Sequence, residues 1–370
     1  MKTRYAISDK LAIGQNSFGL LRILAACMVV LSHAWTVTGG IEVMEPLEKT
    51  TGYPLGWHAV HLFFALSGLL IAGSLANSKS LARFAWSRFL RIFPALFVVV
   101  IATILIAALV IDTSSWALAD VVEYLARNFF LVGASASLPG IFADNPLKGE
   151  INIPLWTLKY EVMAYVSIVC LSALGLRFSK RFSLKTTSLV VLVICALIML
   201  FFGMADTYGK AEHAVRLLFA FYLGVAAWHW RESLTIDFSW LGLLLLLNIA
   251  LLLNGMIYAP AQILLIAYVG LWIGTTHFGF LSRLLDRQDY SYGIYIIGYP
   301  VQQAVVAYNG VADPWLNFAT SLPFVLLLAA VSWNLVERPA LKLKSLGFRQ
   351  QYNQRRTVPL NEIQRTGLKL

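Results

Sequence analysis

Residues 18–37 read FGLLRILAACMVVLSHAWTV. A helix needs about 20 mostly apolar residues to cross the hydrocarbon core of a bilayer. This stretch is that long and carries one charged residue, Arg22. Reading outward, nine more runs of the same kind follow, near 57–76, 92–111, 153–174, 187–204, 213–230, 238–255, 261–278, 291–309 and 315–336. The pattern predicts an all-α polytopic membrane protein with about ten transmembrane helices. Composition agrees. The chain has 370 residues, 59% of them hydrophobic and 13% charged, and a mean hydropathy of +0.71. A soluble domain carries about 25% charged residues, so an ordinary soluble enzyme, a disordered chain and a coiled coil are all excluded. The first sixteen residues are polar, so no cleavable signal peptide is expected.

The net charge of +10 would point to nucleic acid in a soluble protein. Sorted by position, it reads as topology. With the N-terminus in the cytoplasm, the inside segments hold 22 of the 29 Lys and Arg residues. The outside segments hold only Lys49, Arg127, Lys148 and Lys210. That is the positive-inside asymmetry, with both termini cytoplasmic and no nucleic-acid partner. A transmembrane domain over 1–337 and a basic cytoplasmic tail over 338–370, partly disordered by its polar composition, follow. Cys27, Cys170 and Cys195 lie in apolar runs without metal or disulfide spacing, so no metal is expected.

Ionisable groups inside spans are costly and are functional candidates by default. Those here are Arg22, His33, His61, Lys159, Glu161 and Arg216. Arg22 and His33 stand eleven residues apart, on one helical face within about 20° and separated by about 16 Å along the axis. Glu161 enters from the opposite direction at a depth within about one turn of His33. A carboxylate beside a neutral imidazole suits general acid–base chemistry; an ion pair of Glu161 with Arg216 or Lys159 is the plain alternative. Arg88 and Arg91 share a helix face. They read either as a positive-inside anchor at the lipid headgroups or as a double cation for a phosphorylated ligand. Ser67 lacks nucleophile-elbow spacing, and the Ser-Gly pair reads as a close helix contact.

Six segments in order resemble the membrane-bound acyltransferase family 3, integral-membrane O-acyltransferases of bacterial surface glycans. They are LLRILAACMVVLSHAW, HLFFALSGLLI, RFAWSRFLRIFPAL, PLWTLKYEVMAY, SYGIYIIGYP and WNLVERP. Arg22 and His33 fit the family's Arg-x10-His pattern, Arg88 and Arg91 its Arg-x-x-Arg, and Trp156, Glu161 and Tyr165 its Trp-x4-Glu-x3-Tyr. The resemblance implies His33 as catalytic base with Arg22 and Glu161 as site partners. It implies Arg88 and Arg91 as contacts for a cytoplasmic acyl-CoA donor, acetyl-CoA by family frequency. Trp156, Tyr165, Ser67, His61 and Arg216 are further pocket candidates. The acceptor implied is a glycan or lipid-linked glycan, and the location the bacterial inner membrane. The chain departs from the pattern where Gly298 or Tyr299 replaces a frequent histidine, where His61 replaces a frequent acid, and where Leu69 replaces Phe. Its length implies the stand-alone type without a fused SGNH domain. A transporter or flippase competes, but it predicts broken helices paired between two halves, which the sequence lacks. A bare scaffold gains little from buried His33 and Glu161.

Overall fold

In hydrocarbon every backbone N–H and C=O must be satisfied within the chain, so each apolar run closes into a helix. The structure, a computed structural model, describes residues 4–11, 15–132, 137–178, 183–204, 209–255, 258–285 and 288–345. Its helices are α1 (Phe18–Gly39), α2 (Pro46–Thr51), α3 (Leu55–Ala76), α4 (Leu81–Val110), α5 (Leu118–Phe129), α6 (Leu158–Phe178) and α7 (Leu184–Met204). They continue with α8 (Lys210–His229), α9 (Phe238–Leu253), α10 (Ala259–Thr275), α11 (Gly279–Leu285), α12 (Ser291–Asn309), α13 (Pro314–Ser332) and α14 (Arg338–Lys342). A long helix covers most of each of the ten apolar runs. Among the described residues, six helical segments are long and apolar enough to cross a membrane by length and composition: α1, α3, α4, 153–174, 184–203 and 314–342. The protein is an all-α multi-pass membrane protein.

Strand β1 (Arg4–Ala6) pairs antiparallel with β2 (Thr235–Asp237), so the N-terminus and the connection between α8 and α9 lie at one end of the bundle. The segment 113–152 contributes α5, and the last span runs on through α14, so helix continues past residue 337. The tail beyond Ser345 lies outside the described residues.

Helices α8 and α12 are among the less apolar of the ten and are among the most enclosed. Protein, not lipid, surrounds them, so polar side chains are tolerated where a partner exists. Gln302 and Gln303 on α12 are fully buried and donate to the carbonyls of Val30 (2.8 Å) and Glu150 (2.8 Å). The tightest contact is between α3 and α8. A Cβ at Gly68 would stand 1.8 Å from the Phe221 carbonyl oxygen, and one at Gly224 would stand 1.9 Å from that of Ala65. The glycine of the Ser-Gly pair thus allows two backbones to touch, the small-residue packing of membrane helices.

Candidate active site

Two cavities lie along α1, one toward each end. The first, of about 110 Å3, takes its polar lining from Arg22 (α1), Ser67 (α3), Arg88 and Arg91 (α4), and Glu161 and Tyr165 (α6). The second, of about 290 Å3, is lined by His33 (α1), Trp57 and His61 (α3), Trp156, Arg216 (α8) and Glu45. Val60, Thr157 and Tyr295 line both. They form a shared wall, tied by Thr157 Oγ1 to the Tyr295 hydroxyl at 2.5 Å and by that hydroxyl to the Pro154 carbonyl at 2.9 Å.

In the arginine cavity the cations are not equivalent. Asp289, just before α12, bridges Arg22 Nη1 (2.5 Å) and Arg91 Nη2 (2.6 Å). The other terminal nitrogen of Arg91 reaches Glu337 at 3.1 Å. A π-helical turn over Trp333–Glu337, between α13 and α14, places that carboxylate, whose second oxygen accepts from Ser332 Oγ. Such turns re-aim side chains and are common at functional sites. Burial pushes the Asp289 carboxyl up, but the Arg22 and Arg91 guanidiniums and the Ser291 donors hold it well below the usual carboxylate range. Arg91 thus spends both terminal nitrogens inside the protein. Arg88 has no ion-pair partner among the described residues; its Nε donates to Ser87 Oγ at 3.2 Å. Lys344, just past α14, is close enough to Arg88 and Arg91 to feel their charge; burial first and then these two cations depress its pKa. Opposite them, the Tyr165 hydroxyl donates to Glu161 and lies 3.3 Å from Ser67 Oγ.

In the histidine cavity His33 hydrogen-bonds the Val29 carbonyl one turn back and meets the edge of Tyr299 at 5.4 Å. A ring N–H given to a carbonyl fixes the tautomer and leaves the other nitrogen as an acceptor. His61 repeats the device, its Nδ1 lying 2.7 Å from the Trp57 carbonyl. Glu45 is buried and accepts from Ser32 Oγ (2.5 Å) and the Leu55 N–H (2.8 Å); burial nonetheless leaves its pKa raised. His58 Nε2 contacts Thr51 Oγ1 at 3.2 Å.

The sequence candidates therefore divide. Arg22, Arg88, Arg91, Glu161, Tyr165 and Ser67 gather in one cavity, and His33, His61, Trp156 and Arg216 in the other. Glu161 does not line the cavity of His33, and Arg216 pairs with Glu212 at 3.3 Å instead of Glu161. The depth count took 153–161 as α-helix, whereas Ile153–Thr157 is a 3-10 turn. It rises about 2.0 Å per residue against 1.5 Å, which takes Glu161 about 2.5 Å deeper than that count. Asp289, Glu337, Thr157 and Tyr295 were missed as well. Glu337 and Tyr295 lie inside the quoted WNLVERP and SYGIYIIGYP, but neither segment says which helix it faces. Where the family pattern often has histidine, a Cβ at Gly298 would meet Val30 at 2.6 Å, so Tyr299 supplies the ring beside His33.

A family model described as an acyltransferase domain matches residues 15–334. The chain belongs to that family. This acyltransferase is 31% identical over 360 residues to "Nodulation protein 10" of Rhizobium leguminosarum bv. viciae, covering 90% of the chain and 94% of the relative. It is 27% identical over 343 residues to the "O-acetyl transferase" of Shigella phage Sf6, covering 89% and 97%. No solved structure matches the acyltransferase.

Proposed function

We propose that the protein is an O-acyltransferase of the bacterial inner membrane that moves an acetyl group from cytoplasmic acetyl-CoA to a hydroxyl of a surface or exported glycan. One observation carries this reading: an arginine-lined cavity and a histidine-lined cavity share a wall on the axis of α1. The phage relative's name supports O-acetyl transfer. The positive-inside count supports ten crossings with both termini cytoplasmic, which turns the arginine cavity inward and the histidine cavity outward. The domain over 1–337 then carries the reaction, and 338–370 lies on the donor side.

Arg88, with its guanidinium free of carboxylates, takes a donor phosphate in a charge-assisted bond. Arg91 and Arg22, clamped by Asp289 and Glu337, shape the cavity and keep it cationic. The pantetheine arm runs past the wall of Val60, Thr157 and Tyr295, bringing the thioester to His33. The His33 nitrogen left free by the Val29 carbonyl removes the proton of the acceptor hydroxyl as it attacks the thioester carbonyl. The new C–O bond forms, the C–S bond breaks, and the imidazolium returns its proton to the departing CoA thiolate. Glu161, through Tyr165 and Ser67, orders the donor side. Labelled acetyl-CoA added to isolated membranes tests this: label enters glycan with the wild type. Normal glycan acylation by a well-expressed His33→Ala protein would refute the assignment of the base.

A further inference from the structure

Three polar atoms around the histidine cavity are buried without a hydrogen-bond partner: His61 Nε2, Trp57 Nε1 and Arg216 Nε. Their residues are 1%, 9% and 7% exposed and all line that cavity with His33. Each is held in place by something else. His61 Nδ1 is bound to the Trp57 carbonyl, and its ring lies 3.9 Å from the Trp57 ring. Trp57 is stacked on Tyr53 at 4.0 Å. Arg216 lies over the Trp57 ring at 5.6 Å, and its Nε stands 3.3 Å from Glu212 Oε2, an ion pair that makes no hydrogen bond and leaves the N–H direction open. Buried polar groups are normally satisfied, and a clustered exception calls for a missing partner.

The chemistry of the set is specific. With Nδ1–H given to a carbonyl, His61 Nε2 is an acceptor, whereas Trp57 Nε1–H and Arg216 Nε–H are donors only. A hydroxyl is one donor with two lone pairs, so one acceptor and two donors match it. A phosphate or carboxylate offers only acceptors and leaves His61 unmatched. A sugar adds apolar C–H faces, and Trp156 and Tyr295 provide aromatic surface in the same cavity. We propose that His61, Trp57 and Arg216 form the acceptor-sugar subsite: they bind a hydroxyl that is not acylated and so decide which neighbouring hydroxyl faces His33. This rests on the O-acyltransferase reading above and names the residues that would hold its acceptor.

The test uses membranes carrying the full chain, labelled acetyl-CoA, and surface glycan purified from a host deleted for the gene. His61→Asn keeps an N–H for the Trp57 carbonyl but removes the acceptor. His61→Gln restores an amide oxygen near the Nε2 position. Trp57→Phe removes the donor and one of the two fused rings while keeping an aromatic group on Tyr53. Losing one neutral hydrogen bond should raise the apparent KM for glycan about three- to tenfold in His61→Asn and Trp57→Phe. The KM for acetyl-CoA stays unchanged, and His61→Gln returns to within about twofold of wild type. Nuclear magnetic resonance of the product shows acetate spread over more than one hydroxyl in the first two variants. An unchanged glycan KM in both, or parallel rises in both KM values, overturns the subsite and leaves only a packing role. Wild-type membranes that transfer no label to glycan overturn the O-acyltransferase reading and this subsite with it.

Discussion

Asp289→Asn should unsettle the donor side of the protein without touching the base. The Asp289 carboxylate is one quarter exposed and bridges Arg22 at 2.5 Å and Arg91, itself 11% exposed, at 2.6 Å. With charge centres about 4 Å apart and an effective dielectric constant near 20, each pair gains about 4 kcal/mol of Coulomb energy. Desolvation offsets much of that, while removing one partner of a buried pair costs about 3–5 kcal/mol because a charge is stranded. Allowing for the exposed quarter of Asp289, the expected loss is about 2–4 kcal/mol. Asparagine keeps the shape and can keep the Ser291 contact through its one oxygen, but its NH2 then faces both guanidiniums, so the loss combines the charge with two hydrogen bonds. Thermal unfolding of the purified full chain in detergent reads it as a Tm drop. A cycle with Arg91→Met should return a coupling of about 1–3 kcal/mol. The pH dependence follows from the depressed carboxyl. A carboxylate held below its unfolded value contributes stability that is complete above the ordinary carboxylate range and is lost only as pH falls through the folded value. The Tm difference between wild type and variant should therefore stay constant from about pH 5 to 8 and shrink only in stronger acid. A Tm within about one degree of wild type together with zero coupling to Arg91 would refute the bridge.

His33→Ala should cut acetyl transfer about 10²- to 10⁴-fold with unchanged Tm, the usual worth of a positioned base; labelled acetyl-CoA measures it. Arg88→Ala should raise the KM for acetyl-CoA about tenfold or more with little effect on Tm, whereas Arg91→Ala should lower Tm as well, because among the described residues Arg91 is the only cation paired with the buried Glu337. An equal Tm loss in both variants would erase the distinction between them. Glu45→Gln keeps an oxygen for Ser32 and Leu55. The raised Glu45 carboxyl contributes stability that is present at low pH and lost as pH rises through its folded value, so the glutamine variant should gain in relative Tm between about pH 4 and 8. Gly68→Ala or Gly224→Ala drives a methyl into backbone and should abolish monodisperse expression on size-exclusion chromatography.

The elements were legible because apolar length is a property of each segment alone. Residues 18–37 announce α1 without help from any other part of the chain. The stripe of Arg22 and His33 was legible for the same reason, since both lie on one helix. What the chain hides is which helices abut. Arg91 meets Glu337 across 246 positions and Asp289 across 198, and no local pattern encodes either pairing. Glu161 shows a second kind of blindness. Five residues of 3-10 geometry shift it along the axis by about 2.5 Å, which a count of residues does not show. The two cavities meet at Val60, Thr157 and Tyr295, drawn from three separate segments, and no single motif encodes that meeting.

The wall of Val60, Thr157 and Tyr295 has an electrical consequence. Its two hydroxyls are spent on each other and on Pro154, so among the described residues neither offers a free donor to either cavity. A charge crossing the wall would do about 2.3 kcal/mol of work per 100 mV, and the phosphates of a donor carry several charges. An acetyl group carries none. Under the proposed reaction, handing over the acetyl while the phosphates stay behind makes the turnover electroneutral, so its rate should not respond to the membrane potential.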